Sequence, residues 1–174
     1  TQADFQLPFL ALTKPQGQQG AIELVTTLRG GRPINISQLR LATFRPGSSN
    51  PFFAVAGRGQ FSETNGAWQS LDFDELIFED TQLRGLKLRN EPSFMGISVE
   101  GGQFNARAIF NALERAQPDA NRGAVEVDQG KPIAFEVKNL ERVLLPSGQT
   151  LSDVSFYGQR LGTLWHSLEA QGRL

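Results

Sequence analysis

Three consecutive pieces decide the fold: Phe53-Ala54-Val55-Ala56-Gly57-Arg58-Gly59-Gln60-Phe61, a polar link through Asn65-Gly66, and Trp68-Gln69-Ser70-Leu71-Asp72-Phe73. In the first piece Phe53, Val55, Gly57, Gly59 and Phe61 fall on every second position, the period of a strand with one apolar face. Leu71 and Phe73 repeat it in the third. Asn-Gly readily supplies the two positive φ angles of a type I′ turn, so the pieces are predicted to form a β-hairpin. The pattern then changes phase, from Leu71 and Phe73 to Leu76 and Phe78, as a β-bulge with one inserted residue would produce.

The same alternation extends in both directions. Toward the N-terminus, Ile22, Leu24, Thr26 and Leu28 share a face before Gly30-Gly31-Arg32-Pro33 turns the chain; Leu39, Leu41 and Thr43 follow, then a loop from Arg45 to Pro51. Toward the C-terminus, Leu86 and Leu88 alternate with Lys87 and Arg89, and Met95, Ile97 and Val99 with Ser98 and Glu100. Ile133, Phe135 and Val137 begin a long strand whose phase persists to Val143 and Leu145; Leu151 to Tyr157 and Leu164 to Leu174 follow, and Val125 and Val127 suggest another. One segment has helical spacing instead. Ala106, Ile109, Phe110, Leu113 and Ala116, with Asn105 as N-cap and Pro118 beyond the end, predict a single helix near 105–116. The expectation is a mainly β, antiparallel chain of roughly ten strands with one short helix.

The 174 residues suit one β-rich domain spanning 1–174, long enough to remove roughly 70% of its unfolded surface from water. Lys plus Arg (17) nearly balance Asp plus Glu (18), with no run of five like charges, so nucleic acid is not an expected partner. With no cysteine there are no disulfides or thiolate metal sites. No stretch approaches the ~18 consecutive apolar residues that span a bilayer, and the first residues lack the regions of a signal peptide. The chain opens without Met and ends directly after a strand pattern, so it is expected to be a segment of a longer chain.

Catalytic constellations are missing. His166, the only histidine, lies among Leu164, Trp165 and Leu168 with no nucleophile motif, which makes it a structural or surface residue and a metal site improbable. Asp72 and Asp74 would project from one strand face about 7 Å apart, but nothing marks either carboxyl for a raised pKa, and a solvated face explains them. Gly57-Arg58-Gly59-Gln60-Phe61-Ser62 lacks the third glycine and the following helix of a phosphate loop, so its glycines let the sheet bend or a neighbour approach. Asn35-Ile36-Ser37 matches the N-glycosylation pattern, a frequent chance match. No enzyme, cofactor or metal is expected.

The informative feature is an imbalance of 13 Phe against one Tyr and two Trp on alternating strand positions. Carbohydrate-binding sheets usually expose Trp and Tyr, whereas a surface for acyl chains needs only aliphatic and Phe side chains. A closed β-sandwich would hide the same faces against each other, so a binding module for protein or carbohydrate remains the alternative.

The order of segments resembles the AsmA-like family of bacterial envelope proteins, which includes the YhdP and TamB types. Leu10-Ala11-Leu12-Thr13-Lys14-Pro15-Gln16-Gly17 followed by Ala21-Ile22-Glu23-Leu24 is similar to a "KP-G" element before a strand. Ala54 to Phe61 and Leu83-Arg84-Gly85-Leu86 come next, and Val99-Glu100-Gly101-Gly102-Gln103-Phe104-Asn105-Ala106-Arg107-Ala108-Ile109 resembles the family's "G-x-x-D-x-R-x-x-L" step from strand to helix, with Asn105 where Asp is usual. Leu151-Ser152-Asp153-Val154-Ser155-Phe156, leading to Trp165, is similar to its "L-x-D-V" strand. The likeness covers about residues 10 to 174. It implies a curved antiparallel sheet forming an open, taco-like groove, apolar inside, in a periplasmic protein anchored in the inner membrane that conducts phospholipid toward the outer membrane or supports envelope assembly. No catalytic residues carry over. On that reading the acyl chains lie on Phe73, Phe78, Leu86, Leu88, Ile97, Val99, Ile133, Phe135 and Val137, and the partners are phospholipid, other envelope proteins and a second copy through exposed sheet edges.

Overall fold

The computed structural model describes residues 5–7, 12–14, 19–45, 47–78, 80–107, 131–161 and 164–174. Two short strands, β1 (Phe5–Leu7) and β2 (Leu12–Lys14), form an antiparallel pair of their own. All the rest join one sheet: β3 (Gln19–Arg29), β4 (Arg32–Phe44), β5 (Pro51–Phe61), β6 (Trp68–Phe78), β7 (Thr81–Asn90), β8 (Met95–Val99), β9 (Gly101–Asn105), β10 (Ile133–Leu144), β11 (Thr150–Leu161) and β12 (Leu164–Arg173). The order across the sheet is β12-β11-β10-β8-β7-β6-β5-β4-β3, with β9 continuing the lane of β8 between β10 and β7. The fold is therefore mainly β and mostly antiparallel, with one large sheet where a sandwich requires two facing ones.

Among the described strands a single junction departs from the antiparallel pattern. β10 runs parallel to both β8 and β9. Parallel neighbours need a crossover of about a dozen residues or more, usually a helix, and the helical spacing in the sequence falls between β9 and β10. Asn105 caps its start: the Arg107 amide donates to Asn105 Oδ1 at 3.0 Å, and Ala106 and Arg107 are helical. The remainder of the helix predicted near 105–116, and the strand suggested by Val125 and Val127, lie outside the described residues.

The β5–β6 hairpin forms, but not through a type I′ turn. Only Gly66 has a positive φ (72°); the Gly66 amide donates to the Ser62 carbonyl at 2.9 Å, and Asn65 Oδ1 accepts from the Ala67 amide at 2.9 Å. Asn65 thus uses its side chain as a local acceptor instead of entering the left-handed region, and the link widens.

The predicted bulge at the phase change is present. Gly57 pairs with Phe73 and Ala56 with Glu75, which leaves Asp74 extra against β5. It belongs to a larger feature, because irregularities occur in almost every lane within one narrow band. They separate Ile36 from Leu39 between β4 and β5 and leave Glu100 between β8 and β9, while β6 and β7 stay in register across the band, with Gly85 (φ 61°) between the pairs Phe73–Leu86 and Glu75–Arg84. They continue as Val137 to Leu140 between β10 and β11, and as Ser152 to Ser155 between β11 and β12. Bulges bend strands and raise their twist, so this transverse seam is where the sheet bends. Val55, Phe73, Leu86, Val99 and Leu140, all buried, flank it on one face.

The long strand β10 holds a difference from the sequence pattern. The steps from Val137 to Leu140 and from Leu140 to Val143 each span three residues, and both Leu140 and Val143 are buried. Two odd steps cancel, which is why the alternation looks unbroken through Val143 and Leu145.

Candidate functional site

Strand register sorts the side chains into two faces. Leu39, Gly57, Phe73 and Leu86 form one row; Leu41, Val55, Leu76 and Leu83 form the next; and Leu71, Leu88, Ile97 and Phe135 lie beyond the seam on the other side. These rows share a face. Glycine supports it directly: a Cβ at Gly57 would collide with the Phe73 ring and backbone, and one at Gly59 would come 2.8 Å from Leu71 Cδ2. The large side chains of β6 therefore lie over β5, as the close-approach reading of those glycines expected.

All nine predicted acyl-contacting residues occupy this face. Phe73 (2% exposed), Val99 (7%) and Leu86 (8%) are buried at the seam, whereas Phe78, Leu88, Ile97, Ile133, Phe135 and Val137 are half-buried. Exposure rises toward the edges. Ile22 on β3 is 63% exposed and Leu168 on β12 is 59% exposed. Beside Phe135 the sequence reading missed an aromatic group: the rings of Phe135, Phe156 and Trp165 lie 5.6 to 6.3 Å apart by centroids, surrounding Gly158. Edge-to-face geometry, as in Phe156–Trp165 at 84°, suits aromatic pairs. Trp165 remains 46% exposed.

The opposite face is polar and laced by ion pairs that cross lanes. Asp72 on β6 forms ion pairs with Arg89 on β7 (2.6 Å) and Arg58 on β5 (3.6 Å); Arg84 on β7 pairs with Glu141 on β10. At the seam, Glu100 accepts from Lys87 Nζ (3.0 Å) and Lys138 Nζ (3.0 Å), joining β7, the β8–β9 lane and β10. Gly85 leaves room for this: a Cβ there would strike the Glu100 side chain. The hydrogen bonds from Lys87 and then Lys138 hold the Glu100 carboxyl below its ordinary value, and the bond to Glu100 holds the Lys138 ammonium above its own.

The remaining candidates for chemistry are dispersed. Asp72 is engaged by two guanidinium groups, while Asp74 is an exposed bulge residue. His166 is exposed on β12, at the register shift between Gln159 and Arg160. Among the described residues no three His, Cys, Asp or Glu side chains are grouped to hold a metal ion, and no helix is long and apolar enough to cross a membrane. Compared with known proteins, the chain matches no family model, no curated protein and no solved structure.

Proposed function

We propose that this chain is a segment of an inner-membrane-anchored, periplasmic envelope protein whose apolar sheet face binds phospholipid acyl chains and conducts them toward the outer membrane. The observation that carries this reading is the segregation of one ten-stranded sheet into an apolar and an ion-paired face, with the apolar side chains increasingly exposed toward both edges. The resemblance of segment order to AsmA-like proteins supplies the compartment and direction.

Magnitudes suit a conduit. Each buried methylene contributes about 0.8 kcal/mol, so a dozen contribute roughly 10 kcal/mol. Losing free translation and rotation costs about 4–15 kcal/mol, so a single chain on such a face is held weakly and exchanges. A transport surface requires that balance; a storage site does not.

Phe135→Asp tests the reading. A carboxylate between Ile97 and Gly158 should abolish recovery of co-purified lipid by native mass spectrometry, whereas Glu136→Gln on the polar face should leave it unchanged. Lipid bound equally by both variants would reject the proposal.

A further inference from the structure

Register puts a charged side chain, Arg160, on the apolar face. Arg160 pairs with Ile133 on one side, itself paired with Met95, and with Trp165 on the other. Along β11 it alternates with Gly158 and Phe156, so its neighbours are the aromatic group around Gly158. Its Nε is buried with no hydrogen-bond partner among the described residues. A guanidinium N–H taken out of water and left unpaired is costly, and structures keep such groups where something else supplies the acceptor.

Its surroundings restrict what that acceptor can be. Arg160 stands near the end of the face where β10 begins and β11 finishes, and Lys131 lies at the same end, its Nζ donating to Asn90 Oδ1 and the Glu91 carbonyl, each at 2.9 Å. Among the described residues no carboxylate forms an ion pair with Arg160. A planar guanidinium takes carboxylate or phosphate oxygens two at a time, and the adjoining Phe135, Phe156 and Trp165 take aliphatic carbon.

We infer that Arg160 is the headgroup anchor of this face: it binds the anionic phosphate of a lipid whose acyl chain runs from Trp165 and Phe156 toward the seam. The inference rests on the lipid reading above and adds to it a chemical class, an anionic over a zwitterionic amphiphile, and an orientation.

Lysophosphatidylglycerol and lysophosphatidylcholine with the same acyl chain, each below its micelle concentration, separate the two claims by native mass spectrometry. The unaltered protein should bind the glycerol lipid about tenfold more tightly. Arg160→Gln should reduce that affinity to the choline-lipid level without altering choline-lipid binding, and Arg160→Met, which also removes the orphaned N–H, should do the same in a protein that melts no lower. Arg142→Gln on the polar face should change neither. Equal binding of both lipids by the unaltered protein, or a preference that survives in both Arg160 variants, overturns the anchor and leaves the lipid reading standing. Binding of neither lipid overturns both.

Discussion

Glu100 is the residue on which the seam converges. It sits between β8 and β9, its amide donates to the Arg84 carbonyl at 3.2 Å, and its carboxylate holds two lysines from lanes on either side. Because folding lowers its pKa, its stabilising contribution is present above the ordinary value of 4.5 and is lost as pH falls through the lowered folded value. Lys138 contributes in the opposite sense: its share is present below 10.5 and is lost as pH rises past the raised folded value. Glu100→Gln should therefore lower the melting temperature at pH 7, and the difference from the unaltered protein should vanish in scans carried below the carboxylate range. A difference that persists at acid pH would mean that packing against Gly85, not charge, is what Glu100 provides. At this scale much was legible. Phe73, Leu86 and Val99 alternate with polar residues and were readable as apolar-face positions. Arg160 follows the same alternation from Phe156 through Gly158, but a charged residue in a strand reads by default as solvated, and only register reveals otherwise.

Among the described strands, β3 and β12 are the two edges of the sheet. Every residue of β12 is exposed, Leu164 and Leu168 among them at 70% and 59%, and on β3 Ile22, Leu24, Val25 and Leu28 are all exposed. Neither strand contains the proline or lysine by which edges are commonly blunted. Antiparallel pairing of β12 with its counterpart in a second copy keeps both apolar faces on the same side and extends the surface. Sedimentation should accordingly show concentration-dependent association, and Leu168→Lys, which places a charge on the apolar side of the edge, should reduce it. A strict monomer at high concentration would reject edge pairing. Of the strands themselves, the Asp74 bulge was readable because it shifts the hydrophobic phase from Leu71 and Phe73 to Leu76 and Phe78. The two irregularities of β10 were not, because they restore the phase at Val143. The parallel junction also escaped the period-2 signal, which is the same for either strand direction.

On the scale of the whole molecule, the irregular positions interlock. Asp74 is surplus against β5, yet it fills the step between Phe73–Leu86 and Glu75–Arg84 against β7. Removing it would bring β6 into ordinary pairing with one neighbour and throw it out with the other, and a slip of one residue sends a strand's apolar set to the wrong face. Deletion of Asp74 should thus cost about 4 kcal/mol or more by denaturant unfolding, among the largest single-residue effects. Deletion of Thr64, exposed in the β5–β6 loop, should cost far less. Similar losses from both would mean that each bulge is absorbed locally. If they interlock, the sequence has two kinds of length. Between strands it can lengthen or shorten freely as it evolves, but along the seam the residue count is shared among neighbours, and no strand can change its tally unless the ones beside it change theirs.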